Sequence, residues 1–271
     1  MNRIDLRFAE LAAAQRRGLI PFFTAGDPSA EATVPVMHAL VEAGADIIEL
    51  GVPFSDPMAD GPVIQHASER ALSRGVGLAH ILGWVREFRT RDSTTPIVLM
   101  GYLNPIEIYG YEKFARDASR AGIDGTLIVD CPMEESDSVN VLRTAGISQI
   151  LLAAPTTPDA RIAALRDRAE GFLYYVSFAG ITGANRLSVE SVRKRVHTMK
   201  SSMRVPIAVG FGVRDAASAS SIAEFADAVV IGSALVEKLA GAKTSQTAAE
   251  AAKEFLAPIR KALDARPVHA A

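Results

Sequence analysis

Two acidic side chains stand where they could transfer protons. Glu49 interrupts the apolar run 46–50 (Asp-Ile-Ile-Glu-Leu), and Asp60 follows it in a proline-rich segment. Burial raises the pKa of a carboxyl group because the charged form loses its hydration, and a group that titrates near neutral pH can both donate and accept a proton. The alternative is a structural Glu paired with an inward Arg or Lys, but no predicted strand carries one. Glu49 is therefore a candidate acid-base catalyst.

The segment that follows Glu49 displays two aspartates on a stiffened backbone. Residues 51–62 (Gly-Val-Pro-Phe-Ser-Asp-Pro-Met-Ala-Asp-Gly-Pro) contain three prolines. Asp60, flanked by small residues, could oppose Glu49, whereas Asp56 lies between a serine and a proline as a turn former does. Composition alone does not choose between them. Asp130 precedes Cys-Pro, which favours a turn or capping residue, so we leave it out of the catalytic set.

Three late segments of the chain carry glycines that could surround an anion. They read Ala-Gly-Ile-Thr-Gly-Ala (179–184), Gly-Phe-Gly-Val (210–213) and Gly-Ser (232–233). Glycine lets backbone N–H groups approach a phosphate, and a helix that begins at Ser233 would point its positive dipole end at it. Each glycine alone is explained as well by a tight turn. Together they predict a phosphate site formed by Gly183, Gly212, Gly232 and Ser233.

Strand and helix patterns alternate along the chain and would position these residues. Apolar runs of strand length occur at 19–24, 46–50, 97–101, 125–130, 149–153, 172–177, 206–210 and 227–231, and amphipathic segments occur at 31–42, 78–89, 111–120, 134–144, 159–168 and 189–200. Eight such units predict an α/β fold, a (β/α)8 TIM barrel in one domain over 1–271, with extra terminal helices at 3–17 and 247–263. An open doubly wound sheet would usually carry a dinucleotide glycine fingerprint after the first strand, where this chain reads Ala-Gly-Asp-Pro. The active site is expected at the carboxyl ends of the strands.

Composition narrows the chemistry further. With 49% hydrophobic residues and a net charge of -2, the chain has no basic stripe for nucleic acid and no run of about 18 uncharged apolar residues for a membrane. The single Cys131 and the absence of a signal-like apolar run near the start predict a cytoplasmic protein. Its lysines lie outside the predicted strands and its histidines lack metal-ligand spacing, so Schiff-base and zinc aldolases are disfavoured and no metal is expected. The electron sink must then lie in the substrate, for which an aromatic heterocycle would serve.

Several motifs make the assignment specific. The segments 21–28 (Pro-Phe-Phe-Thr-Ala-Gly-Asp-Pro), 49–62, 100–105 (Met-Gly-Tyr-Leu-Asn-Pro), 130–135, 179–183 and 210–213 closely resemble the tryptophan synthase alpha chain family over almost the whole chain. The resemblance implies that Glu49 and Asp60 are the catalytic pair. It also implies retro-aldol cleavage of indole-3-glycerol phosphate to indole and glyceraldehyde 3-phosphate in L-tryptophan biosynthesis. Glu49 would transfer the protons, and Asp60 would stabilise charge that develops on the indole N–H.

The resemblance also implies supporting residues. Tyr174 and Tyr175 are neighbours on one strand, so only one can face the interior, and the family selects Tyr174. Thr182 would lie in a lid that excludes water. Phe178 stands where family members often carry an arginine. The apolar indole pocket would be formed by Phe22, Met100, Leu127 and Phe211.

A partner is implied as well. The family passes indole to a pyridoxal-phosphate beta chain in an alpha2-beta2 heterotetramer, and this chain itself would bind no cofactor. Docking would use Pro53, Asp56, Asn104 and Pro132. The competing hypotheses are a barrel isomerase of a phosphorylated sugar, a stand-alone indole-glycerol phosphate lyase, and a subunit that mainly activates its partner.

Overall fold

The apolar segments of the chain pair side by side in one parallel sheet that curves into a barrel. The computed structural model describes residues 2–176, 189–210 and 212–265. Within these ranges the sheet order is β5-β4-β3-β2-β1-β9-β8-β7-β6, and each pair is parallel. The strands are β1 (Gly18–Thr24), β2 (Ile48–Gly51), β3 (Ile97–Gly101), β4 (Gly125–Ile128), β5 (Ser148–Gln149), β6 (Leu151–Ala153), β7 (Leu173–Val176), β8 (Ile207–Gly210) and β9 (Ala228–Ile231).

One predicted strand is divided in two. The run 149–153 was expected as a single strand, but it forms β5 and β6 on either side of Ile150. β5 pairs with β4, whereas β6 pairs with β7. The chain therefore changes its pairing partner at Ile150, and because β5 and β6 are the two edge strands of the sheet, this short segment connects the two edges.

Helices cover the outside of the barrel and follow the predicted alternation. The predicted segments 78–89, 159–168 and 189–200 have the observed bounds. The helices are α1 (Arg3–Ala13), α2 (Thr33–Glu42), α3 (Pro62–Leu72), α4 (Leu78–Arg89), α5 (Leu103–Tyr109), α6 (Tyr111–Ala121), α7 (Asn140–Thr144), α8 (Asp159–Arg168), α9 (Val189–Lys200), α10 (Ala216–Ala223), α11 (Ser233–Ala240) and α12 (Ser245–Asp264). None of these helices is long and apolar enough to span a membrane.

Some helix predictions were wrong in their extent. α1 ends before the predicted 17 because Gln15 adopts a positive φ of 51°, which an α-helix cannot contain. The segment predicted at 134–144 is a 3-10 stretch, Met133–Val139, followed by the short α7. α3, α5 and α10 lie outside the amphipathic segments named from the sequence.

The barrel interior is closed at its amino end and filled in its middle. Alternate strand residues, including Ile20, Val98 and Leu127, form an apolar cluster inside the barrel, and α1 inserts Ile4 and Phe8 into it from below. Side chains of opposite parity face the outer helices. Within the described ranges, the interior is therefore open toward the carboxyl ends of the strands.

Aspartates join the strands at the amino end of the barrel. The Asp46 carboxylate accepts a hydrogen bond from the Leu19 backbone N–H (2.9 Å), Asp124 accepts from Ile97 (2.9 Å) and Asp227 accepts from Ile207 (2.9 Å). Each also has basic partners. For Asp46 the closest is the buried Arg260, on α12, with Nη1 3.0 Å from Oδ2; arginines and a lysine pair with the other two. These three aspartates therefore have a structural role.

Asp46 provides a test of this arrangement. We expect Asp46→Ala to lower the free energy of unfolding by at least about 2 kcal/mol, because Arg260 loses its buried counter-charge and Leu19 loses its acceptor. Urea denaturation followed by circular dichroism measures the change. The control is Glu42→Ala, which removes an exposed pair between α2 and Lys253 on α12, the helix that also carries Arg260, and should cost less than about 1 kcal/mol. Equal losses in the two variants would contradict the structural role of Asp46.

Candidate active site

Glu49 is the second residue of β2 and is buried. Its strand neighbours are Phe22 on β1 and Val98 on β3. Ile48 and Leu50 pack with the outer helices, so Glu49 has the opposite, inward parity, as predicted. The side chain is 1% exposed, and neither carboxyl oxygen has a hydrogen-bond partner within the described ranges.

Asp60 is held above β2 by its own loop and by two neighbouring elements. Its backbone N–H donates to the Pro57 carbonyl (3.0 Å), and its carbonyl accepts from Nε2 of Gln65 on α3 (2.9 Å). Its carboxylate accepts a hydrogen bond from the Tyr102 hydroxyl at 3.1 Å. The side chain that composition could not distinguish from Asp56 is therefore the one that lies near Glu49.

The two carboxyl groups have different affinities for protons. Burial, and to a lesser extent the charge of Asp60, raises the pKa of Glu49 to about 8. Burial raises the pKa of Asp60 to about 6, against the opposing effect of the Tyr102 hydrogen bond. At neutral pH the pair therefore holds a protonated Glu49 beside a mostly ionised Asp60, which is an acid next to an anion.

Tyr174 faces the interior and Tyr175 faces the helices. Tyr174 packs on the interior cluster, whereas Tyr175 belongs to the outer core, which confirms the predicted orientation. Burial, followed by the charges of Glu49 and Asp60, raises the pKa of Tyr174, which places this phenol near both acids. A Cβ on Gly210 would lie 2.6 Å from the Tyr174 hydroxyl, so a side chain there would displace the ring.

Apolar side chains line the mouth of the barrel beneath the acids. Phe22 and Met100 line one cavity together with Asp60, and Leu127 lies deeper, in the interior cluster. Two residues that sequence reasoning missed, Val129 and Leu152, pack on the same cluster and are partly exposed. Val129 is two residues after Leu127, and alternate strand residues face the same side, so the inward direction of Leu127 indicates that of Val129. Leu152 pairs with Tyr174 across β6 and β7, and the inward direction of Tyr174 indicates that of Leu152.

Some of the residues predicted to bind phosphate lie in the loops that follow the last strands, at this end of the barrel. Gly212 is exposed with a φ of 51°, and Gly232 precedes α11, whose first residue is the exposed Ser233. The first N–H groups of a helix have no partner within it, so α11 offers donors toward the mouth. The predicted residues Thr182, Gly183, Phe211 and the variant position Phe178 lie outside the described residues.

The loops around the mouth also differ in exposure. Of the predicted docking residues, Pro53 is buried, whereas Asp56, Asn104 and Pro132 are exposed. Two large apolar side chains are also exposed, Met58 on the loop of Asp56 at 81% and Ile108 on α5, the helix of Asn104, at 79%. Asp130 accepts a hydrogen bond from the Leu103 backbone N–H (2.8 Å) at the start of α5, which confirms it as a capping residue.

The chain was compared with protein families, related sequences and solved structures, and all three agree. A family model described as tryptophan synthase alpha chain matches residues 8–264. The chain belongs to the tryptophan synthase alpha chain family. Its similar relatives include the alpha chains of Xylella fastidiosa (strain M12), 59% identical over 98% of this chain and 99% of the relative, and Xanthomonas oryzae pv. oryzae (strain MAFF 311018), 59% identical over 97% and 99%. The crystal structure of tryptophan synthase subunit alpha from Legionella pneumophila str. Paris superposes with a TM-score of 0.91, at 44% identity over 98% of this chain and 100% of that one.

Membership of the tryptophan synthase alpha chain family confirms the TIM barrel and the resemblance of the motifs. The long signature 49–62 begins at the buried acid of β2 and ends at the first turn of α3, so it carries both carboxylates and the loop between them. The family also implies a beta chain as partner.

The raised pKa of Glu49 should appear in the stability of the protein. A folded-state pKa of about 8, above the ordinary value of 4.5, stabilises the fold below about pH 4.5, and this contribution is lost as pH rises through 8. We expect wild type to lose roughly 4 kcal/mol relative to Glu49→Gln between pH 5 and pH 9. Urea denaturation at each pH measures the difference. A stability difference that does not change with pH would contradict a protonated, buried Glu49.

Proposed function

We propose that this chain cleaves indole-3-glycerol phosphate into indole and glyceraldehyde 3-phosphate, as a carbon-carbon lyase of L-tryptophan biosynthesis. The observation that carries the proposal is the pair of acids at the mouth: Glu49 buried and without a hydrogen-bond partner in the described part of the chain, and Asp60 opposite it. Family membership supplies the substrate class. The chain would act as one domain over 1–271, in the cytoplasm.

Glu49 supplies the proton and then recovers one. Its carboxylic acid protonates C3 of the indole ring, which makes the ring a cation that accepts the electrons of the bond to the side chain. The carboxylate that remains takes the proton of the side-chain hydroxyl as that carbon becomes the aldehyde. The bond between C3 and the side chain breaks, its electron pair restores the indole ring, and Glu49 ends in its starting state.

Asp60 would stabilise the positive charge that develops on the indole ring. The positive charge that appears on the ring is shared with the indole N–H, and an ionised carboxylate stabilises it more in the transition state than in the ground state. The mostly ionised Asp60 suits this role. Tyr174 would support the ring within the apolar walls of Phe22, Met100 and Leu127, and Phe211, which lies outside the described residues, belongs to the same proposal.

The phosphate would be bound at the other side of the mouth. Gly212, Gly232 and Ser233 offer backbone donors and a helix amino end, the glycine pattern also predicts Gly183, and the family adds the lid residue Thr182. Binding the phosphate on that side would orient the glycerol side chain of the substrate, so that the bond between this side chain and indole C3 lies next to the two acids.

Glu49→Gln tests the assignment. We expect indole release to fall by at least about 10³-fold, because the amide keeps the shape of Glu49 but cannot titrate. Steady-state release of indole measures turnover, and calorimetry with indole-3-glycerol phosphate should show an unchanged Kd. Glu42→Gln, a change at an exposed glutamate, should match wild type. A phosphorylated sugar serves as the substrate control, and its isomerisation would favour the competing isomerase function.

The partner would dock on the loops around the mouth. Asp56, Asn104 and Pro132 are exposed there, as are Met58 on the loop of Asp56 and Ile108 on α5, the helix of Asn104, whereas Pro53 is buried. Exposed apolar side chains of this size suit a protein interface. The tryptophan synthase beta chain would carry pyridoxal phosphate, accept the indole and form an alpha2-beta2 heterotetramer. This chain would need no cofactor of its own.

Ile108→Asp tests the docking surface. We expect it to weaken binding of a beta chain by at least about 1.4 kcal/mol, or tenfold in Kd, because a charge replaces a buried apolar contact. Titration of indole release with beta chain measures the affinity. Leu6→Asp, at an exposed leucine of α1 on the closed end of the barrel, is the matched control and should leave the affinity unchanged. The same weakening in both variants would place the interface elsewhere.

A further inference from the structure

Tyr102 lies where two parts of the active site meet. It follows the last residue of β3 directly and precedes α5. The side chain is 4% exposed, and its ring packs against Phe54 with 5.0 Å between centroids. Two flanking elements and a ring contact therefore hold the hydroxyl in one place.

The Tyr102 hydroxyl makes two hydrogen bonds of defined direction. It accepts from the Ala59 backbone N–H at 3.0 Å, and it is 3.1 Å from Oδ2 of Asp60. Because a backbone N–H can only donate, the phenolic proton is available for the carboxylate. Burial, followed by the charge of Asp60, raises the pKa of Tyr102, so the hydroxyl remains a donor throughout the working pH range.

The surroundings of Asp60 supply little else that favours its charge. Asp60 raises the pKa of both Glu49 and Tyr174, and Asp130 raises that of Tyr102, so the electrostatic neighbours are acids and phenols. Among the described residues, the Tyr102 hydrogen bond is the one interaction that opposes the effect of burial on Asp60. Glu49 has no comparable donor.

We propose that Tyr102 is a positioning residue that fixes the Asp60 carboxylate over the substrate and keeps it ionised while Glu49 retains its proton. The inference rests on the proposed function. Without the phenolic proton, Asp60 would be protonated more readily, and its loop would lose the contact that holds Ala59. The reaction would then lack the anion that stabilises the ring cation.

Tyr102→Phe, which retains the ring, tests the proposal. We expect kcat for indole release to fall about tenfold with the KM for indole-3-glycerol phosphate changed by less than about twofold, because the lost hydrogen bond matters most in the transition state. The acidic limb of the kcat/KM pH profile should move up by about one pH unit. The full chain is assayed with and without a beta chain.

Tyr109→Phe is the matched control. Tyr109, on α5, also donates its hydroxyl to an aspartate, with 3.1 Å to Oδ2 of Asp117, but this bond joins α5 to α6 and involves neither Glu49 nor Asp60. We expect its kcat, KM and pH profile to equal those of wild type. Circular dichroism and thermal unfolding confirm that both variants fold.

A direct titration separates this inference from the proposed function. In protein labelled with ¹³C at aspartate carboxyls, the Asp60 resonance is identified by its loss in Asp60→Asn, and its midpoint should be higher in Tyr102→Phe than in wild type or Tyr109→Phe. Equal midpoints, an unchanged kcat and pH profile, or a rise in KM alone would overturn the role of Tyr102. If wild type releases no indole, the proposed function fails, while the shift of the Asp60 midpoint still decides whether Tyr102 keeps the carboxylate ionised.

Discussion

Burying the carboxyl group of Glu49 without a donor or a cation costs free energy, and this cost is the constraint on which the upper half of the barrel depends. Below about pH 8 the buried group is a neutral acid, because no interaction in the described part of the chain opposes the effect of burial on its pKa. Everything around it is consistent with a proton donor. Apolar side chains fill the interior, Asp60 and Tyr174 lie close enough to interact with Glu49 electrostatically, and among the described residues α1 closes the other end of the barrel.

The amino end of the same barrel shows the opposite treatment of acids. Burial raises the pKa of Asp46 as well, but Arg260 and the Leu19 N–H act against it. Asp124 and Asp227 likewise accept strand N–H groups and pair with basic side chains. Hydrogen bonds and ion pairs give these aspartates a structural role, whereas the acid at the other end, which lacks such partners among the described residues, is available for proton transfer. The partner of a buried carboxylate, more than its burial, distinguishes the two functions.

The sequence predicted the parts of the molecule that local pattern controls. Continuous apolar runs indicated the strands, the period of two gave the inward direction of Glu49, and amphipathic spacing gave helices such as α4 with the correct bounds. What it missed depends on contacts between distant elements. The break at Ile150 follows from pairing with two different neighbours, and the end of α1 follows from one positive φ. Without the family resemblance, Asp60 and Asp56 were equivalent, because only the fold brings Tyr102 to Asp60 across 42 residues.

The placement of the two acids on different kinds of element has a physical consequence. Glu49 lies on a strand with a neighbour on each side, while Asp60 lies on a loop whose outer surface exposes Asp56 and Met58. Tyr102 connects that loop to the start of α5, which exposes Ile108 on its outer face. The carboxylate that must stabilise charge and the surface proposed for docking are therefore parts of one continuous set of contacts. A partner that bound these side chains would act on the position of Asp60 and leave the strand that carries Glu49 undisturbed.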